Sequence, residues 1–200
     1  MSHRNSSKII GVRDLSEHTV KIVVLGDSQV GKTSILRRLV YNTFSEECEP
    51  TVCMDFLSKT VQHGSQKLSL NFWDTSGEER FTVLLPTYVR DAAAAIIVYD
   101  VTNWGSFMSV PSWVQLVRDE SPDEFIPIYV LGAKADDAHG REVSTREGCL
   151  MAVALGVRFA ETSALSGHNF SAESFTGPQH KRNFSLKRFA MNIVRRFGLA

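Results

Sequence analysis

Apolar residues run almost without a break from Val20 to Leu25. From Lys32 the pattern changes to Ile35, Leu36, Leu39 and Val40, spaced as on a helix and ending at about Tyr41. The first run predicts a strand buried on both faces, the second an amphipathic helix, and a glycine-bounded turn joins them. Strand-like alternation returns at about Asp55–Gln62 and Lys67–Asp74 around the polar stretch HGSQ, which predicts an antiparallel hairpin. Further apolar runs at Ala94–Asp100, Ile128–Ala133 and Val157–Thr162 are separated by helix-length stretches at about Ser106–Glu120 and Thr145–Leu155. Strands alternating with helices predict an α/β chain in three layers, with a mostly parallel sheet of about six strands, one of them antiparallel, and about five helices.

A last helix is expected from Ser185 to about Phe197, where Leu186, Phe189, Ala190, Ile193, Val194 and Phe197 form one stripe. Before it, a polar segment at about 170–183 with Gly, Pro and a short NFS repeat at each end reads as a surface insertion. The expected organisation is a flexible N-terminal segment over residues 1–19 and one domain over 20–200.

Composition narrows the function. Among 200 residues, 22 Lys and Arg balance 22 Asp and Glu, so no whole-protein field draws the chain to nucleic acid, and no nucleic-acid partner is expected. The basic groups Lys181, Arg182, Lys187, Arg188, Arg195 and Arg196 gather near the C-terminus. They read as a solvated helix face rather than as a binder of phospholipid headgroups. The longest apolar run, Ala92–Tyr99, is far short of the roughly 20 residues that cross a bilayer. The polar start MSHRNSSK is no signal peptide. A cytoplasmic chain is expected, with Cys48, Cys53 and Cys149 as reduced thiols.

The sharpest chemical signal is GDSQVGKT at Gly26–Thr33, placed between a buried strand and a helix. Glycines at Gly26 and Gly31 let the backbone around Gln29 and Val30 fold about an anion, and the new helix offers its positive end at Lys32, Thr33 and Ser34. Lys32 is expected to reach the β and γ phosphates of a nucleotide, and Thr33 to offer a hydroxyl to Mg²⁺. The segment WDTSGEERF at Trp73–Phe81 adds Asp74 at a strand end, suited to holding Mg²⁺ through water, and Gly77, whose N–H can approach a terminal phosphate. In isolation, Asp74 and Gly77 would read as a cap and a turn. Beside the phosphate loop they read as parts of one site.

These motifs make the chain similar to the Ras superfamily of small GTPases, and within it to the Rab family, over about Val20–Ala164 and the last helix. The stretches DFLSKT at Asp55–Thr60, LPTYVRD at Leu85–Asp91 and VYDVTN at Val98–Asn103 most resemble the Golgi-associated branch that acts in retrograde transport. The resemblance implies a P-loop GTPase fold, binding of GTP and GDP with Mg²⁺, and a monomer that regulates vesicle traffic with effector proteins, an exchange factor and a GTPase-activating protein as partners. It implies that Thr51 closes on Mg²⁺ and the γ phosphate in the GTP form. It also implies that Phe56, Trp73 and Tyr88 form an exposed aromatic triad that reports the state to effectors. Guanine recognition falls to Ala133, Lys134 and Asp136 and to Ser163, Ala164 and Leu165. The catalytic set is Lys32, Thr51, Gly77 and Glu78. By resemblance the protein serves the cytoplasm, with transient visits to Golgi or vesicle membranes.

Several residues depart from the family pattern. Glu78 stands where the family places a glutamine that orients the attacking water. An ionised carboxylate cannot donate to the transition state, so intrinsic hydrolysis is expected to drop on the order of 10²-fold. Ala133 replaces an asparagine that bonds the base and braces the phosphate loop, which is expected to weaken nucleotide binding by about 10- to 100-fold and to speed exchange. Leu165 replaces a lysine, and Cys48 and Cys53 replace residues of the first switch. With no cysteine beyond Cys149, no prenyl membrane anchor is expected on the chain as it stands. An alternative of a different class follows from these departures: a non-cycling pseudo-GTPase that serves as an effector-binding module. An ATP-using kinase finds little support, since Asp136 and the switch segments suit guanine.

Overall fold

The computed structural model describes residues 17–46, 50–51, 54–63, 66–77 and 83–170. The chain runs β1 (Glu17–Leu25), α1 (Lys32–Tyr41), β2 (Met54–His63), β3 (Gln66–Thr75), α2 (Leu85–Val89), β4 (Ala94–Asp100), α3 (Trp104–Met108), α4 (Val110–Glu120), β5 (Ile128–Ala133), α5 (Thr145–Leu155) and β6 (Arg158–Glu161). Among the described residues six strands form one sheet in the order β2-β3-β1-β4-β5-β6. Only β2 runs antiparallel, pairing with β3 from Met54 opposite Thr75 to His63 opposite Gln66. The expected fold class therefore holds.

Strand alternation divides the core into two layers. Ile22 and Val24 of β1 face one side of the sheet, where they pack with Ile35, Leu36 and Leu39 of α1 and with Phe72, Ile96 and Leu131. Val23 and Leu25 face the other, among Ile97, Tyr99, Val110, Val114 and Val117. Because both faces are covered, β4 and β5 are buried along their whole length, which explains their unbroken apolar runs.

The helix expected at about Ser106–Glu120 begins earlier and is split. Asn103 caps α3 by accepting from the Ser106 N–H at 3.0 Å. Pro111 then lacks the N–H that would bond the carbonyl four residues back, and α3 gives way to α4 at Ser109. The five-residue α2 was not anticipated, since one turn is too short to show a period. At α5 the sequence STRE forms a reciprocal capping box, with the Ser144 hydroxyl and the Glu147 side chain each bonding the other's backbone N–H. The expected last helix at Ser185–Phe197, most of the expected insertion at about 170–183 and nearly all of the N-terminal segment at 1–19 lie outside the described residues. Among the described residues no helix is long and apolar enough to cross a membrane.

The C-terminal ends of β1, β3, β4 and β5 open onto one edge of the sheet. Ligands of open α/β sheets bind there; Asp100 closes β4 at that edge, and the loops carrying Gly26, Gly77 and Lys134 leave the strands there.

Candidate functional site

The phosphate loop is forced by its glycines. Gly26 has φ 137°, and a Cβ there would run into the Val98 carbonyl, so the loop can leave β1 only with a glycine at this point. Gly31, at φ 98°, turns the chain into α1. No side chain caps α1 and no acid stands in its first turn, which suits the helix end to an external anion.

Lys32 lies folded under the loop. Its side chain is buried, and its ammonium donates to the Gly26 carbonyl at 2.9 Å and to the Asp27 carbonyl at 2.7 Å. Burial lowers its pKa to about 8, against the opposing pull of the Asp74 and Asp27 carboxylates. An anion set on the loop would restore the charge that burial disfavours. Gly77 presses on the same ammonium from the end of β3. A Cβ on Gly77 would stand 2.5 Å from both the Lys32 Nζ and the Gly26 carbonyl oxygen, closer than any side chain permits.

Three oxygen groups meet beside the lysine. The Thr33 hydroxyl donates to Asp74 Oδ2 at 2.5 Å and lies 2.8 Å from the Thr51 hydroxyl. Asp74 is fully buried, and its Oδ1 has no hydrogen-bond partner among the described residues. Burial raises its pKa to about 6, with Asp55 adding to the rise and the Thr33 and Thr51 hydrogen bonds and Lys32 opposing it. A buried carboxylate with one unmatched oxygen, flanked by two hydroxyls, fits a hard divalent cation. Among the described residues there is no group of three or more His, Cys, Asp or Glu able to hold a metal. The arrangement suits Mg²⁺ that takes its remaining ligands from phosphate and water.

The expected base-binding loops lie alongside. Ala133 is buried at the end of β5, and a Cβ on Gly31 would stand 3.9 Å from its methyl group. Lys134 adopts φ 59° and pairs with Asp100 Oδ2 at 2.5 Å, while Asp136 is exposed in the following turn. Ser163 accepts from the Ser166 N–H at 2.9 Å. The Ala164 and Leu165 carbonyls accept from Arg38 of α1 at 2.6 Å and 2.9 Å. The Thr162 N–H donates to the Gly132 carbonyl at 2.7 Å, so Thr162 lies alongside the end of β5; its hydroxyl is buried and has no partner among the described residues. The exposed Gln29, at φ 64°, and the buried Val30 complete the phosphate loop, and Ser34 lies in the first turn of α1.

On the other side of the sheet edge, the Phe56 ring meets Trp73 edge-on at 5.7 Å between centroids. Trp73 in turn meets Tyr88 at 5.7 Å, and the Lys21 ammonium sits over the indole. The three aromatics thus form one contiguous group, with Phe56 half exposed. Glu78, Cys48 and Cys53 lie outside the described residues.

Sequence reasoning missed Asp27, Asp100 and Arg38. Asp27 occupies a variable position of the phosphate-loop pattern, and Arg38 lies on a helix with no motif. Only Asp100 left a signal, as an acid closing an apolar strand. A model of the Ras family matches residues 21–177 of the chain.

Proposed function

The chain belongs to the Ras family, and on that premise we propose that it is a Rab-like switch that cycles between GTP and GDP to regulate vesicle traffic at Golgi-related membranes. Ras-family membership carries guanine-nucleotide binding, GTPase activity and regulation through partner proteins. The observation that supports the switch reading in this chain is the closure of Thr51 and Gly77 on one phosphate loop. Thr51 meets Thr33 and Asp74, and a Cβ on Gly77 would run into Lys32.

Each residue has a task that its position allows. Backbone N–H groups of Gly26–Thr33 and the N-terminus of α1 surround the phosphates, and the Lys32 ammonium meets the β and γ oxygens. Thr33, Thr51 and Asp74 would hold Mg²⁺, which supplies charge neutralisation on the phosphate oxygens when bound. Gly77 brings its N–H to the terminal phosphate. Loss of that phosphate removes what holds Thr51 and Gly77 inward, and the two segments are released. Phe56, Trp73 and Tyr88 sit on the strands and helix next to those segments, which supports their use by effectors as a reader of the closed state.

Two features set the rate of the cycle. Glu78 cannot donate to the transition state as glutamine does, so intrinsic hydrolysis is slow and a GTPase-activating protein carries turnover. Ala133 gives up an amide contact to the base, so exchange is fast. The protein acts as a monomer in the cytoplasm with transient residence at vesicle membranes.

Calorimetric titration of nucleotide-stripped protein with GDP, GTP and ATP in Mg²⁺ tests the reading. Binding of both guanine nucleotides without ATP is expected. Absence of guanine-nucleotide binding would replace the switch with a scaffold that keeps the fold alone.

A further inference from the structure

Asp27 lies within the phosphate loop, and the proposed mechanism does not use its carboxylate. Its carbonyl accepts from Lys32, and its carboxylate is close enough to that ammonium to stabilise its charge. A carboxylate so placed should pair with the ammonium and compete with phosphate for it. It is instead turned the other way. Asp27 Oδ1 accepts from the Trp113 indole N–H at 2.7 Å, and Oδ2 accepts from the Ser109 hydroxyl at 2.8 Å.

The two donors are well placed for one job. Ser109 and Trp113 lie four residues apart, so they project from the same face at the start of α4. The Ser109 hydroxyl also lies 3.3 Å from the Gly105 carbonyl, but it has one proton, and the shorter bond to a charged acceptor takes it. Both donors are neutral, so they hold the carboxylate without cancelling its charge. Each Asp27 oxygen therefore has a fixed partner, one on the residue that caps α4 and one on its first turn, and the backbone of Asp27 stays free to present its carbonyl to Lys32.

We infer that Ser109 and Trp113 are positioning residues for nucleotide binding: they hold the Asp27 carboxylate away from Lys32 and so keep the ammonium available to phosphate. This rests on the reading of Gly26–Thr33 as a phosphate site and adds to it a control from α4. Breaking the clamp converts Asp27 from a bystander into a competitor. Movement of α4 by a bound partner would do the same, which makes the clamp a route from that helix to nucleotide release.

The test is GDP affinity and release rate in the wild type, Ser109→Ala, Trp113→Phe and the double variant, each with a thermal melt. Phenylalanine keeps the ring and removes the N–H. Loss of hydrogen bonds to a charged acceptor predicts affinity lower by about 10-fold or more in the double variant. Adding Asp27→Asn to that variant removes the competing charge at constant shape and should recover most of the lost affinity. A purely structural role for Trp113 would not be rescued in this way, so a loss that Asp27→Asn fails to restore overturns the inference. So does unchanged GDP affinity in the double variant. Should the double variant not fold, Ser109→Ala with and without Asp27→Asn carries the same comparison. A wild type that binds no guanine nucleotide would overturn the phosphate-site reading and the clamp with it.

Discussion

Replacing Ala133 with asparagine should slow GDP release, and the structure gives the size of the effect. Thr162 is fully buried, and its hydroxyl has no hydrogen-bond partner among the described residues. An unmatched buried hydroxyl costs about 1–3 kcal/mol relative to a satisfied one. Ala133 ends β5 beside it, and its methyl group makes only ordinary contact distance to a Cβ placed on Gly31. An asparagine amide has both an acceptor for Thr162, a bond within the protein that adds folding stability and fixes the amide, and a donor for the base, which is the contact that counts toward affinity. About 1–3 kcal/mol of restored contact corresponds to release slower by about 10- to 100-fold. Release of a fluorescent GDP analogue chased with unlabelled GDP measures this directly. A second substitution tests the cause: Thr162→Val should be neutral or stabilising in the native chain, where the hydroxyl bonds nothing, and should cost about 1 kcal/mol in the Ala133→Asn background. An unchanged release rate would refute the argument, as would an equal cost of Thr162→Val in both backgrounds.

Glu78→Gln should raise intrinsic GTP hydrolysis on the order of 10²-fold in single-turnover assays. For nucleotide-free protein, Asp74→Asn should be stabilising above about pH 6. The raised native pKa means that the folded state holds a proton the unfolded state has lost, so stability falls as pH rises from the ordinary aspartate value to about 6, and the variant escapes that fall. Denaturant melts from pH 4 to 7 should show the variant's advantage growing to roughly 2–3 kcal/mol and then levelling. Arg38→Ala removes the donor to the Ala164 and Leu165 carbonyls and should weaken GDP binding by about 5-fold or more, read by calorimetry. Gly77→Ala should abolish the closed arrangement, since its methyl group would overlap Lys32 and the loop backbone, and GTP should lose more affinity than GDP.

The succession of strands along the chain was legible because burial on both faces leaves long apolar runs, and β4 and β5 match their expected bounds residue for residue, whereas their order in the sheet left no mark in the pattern. Helix ends were legible where a local signal exists, as at the Ser144 and Glu147 box. The division at Ser109 was not, because Pro111 allows several outcomes and packing of Phe107 and Val110 into the same core decides among them. At the site, Gly26, Lys32, Thr33 and Asp74 stood out because phosphate and cation chemistry demands those residue types at that spacing. Thr51 and the base loops came into view only through family resemblance, since a threonine after proline and an alanine at a strand end carry no chemistry of their own. The partners that hold these groups were hidden, because Asp27 with Trp113 and Arg38 with Ala164 are neighbours only once the chain is folded.

Helix α1 has a further consequence. Its first residue, Lys32, bonds the phosphate loop, and Arg38 bonds the Ala164 and Leu165 carbonyls. Six residues at about 1.5 Å each place Lys32 and Arg38 about 9 Å apart along a rod that does not stretch. In the proposed nucleotide site, the distance between the phosphate end and the base end is thereby set by one helix. A ligand longer or shorter than a guanine nucleotide meets a fixed gauge rather than an adjustable cleft, and amide hydrogen exchange along Gly31–Asn42 and at Leu165 should slow together when nucleotide binds.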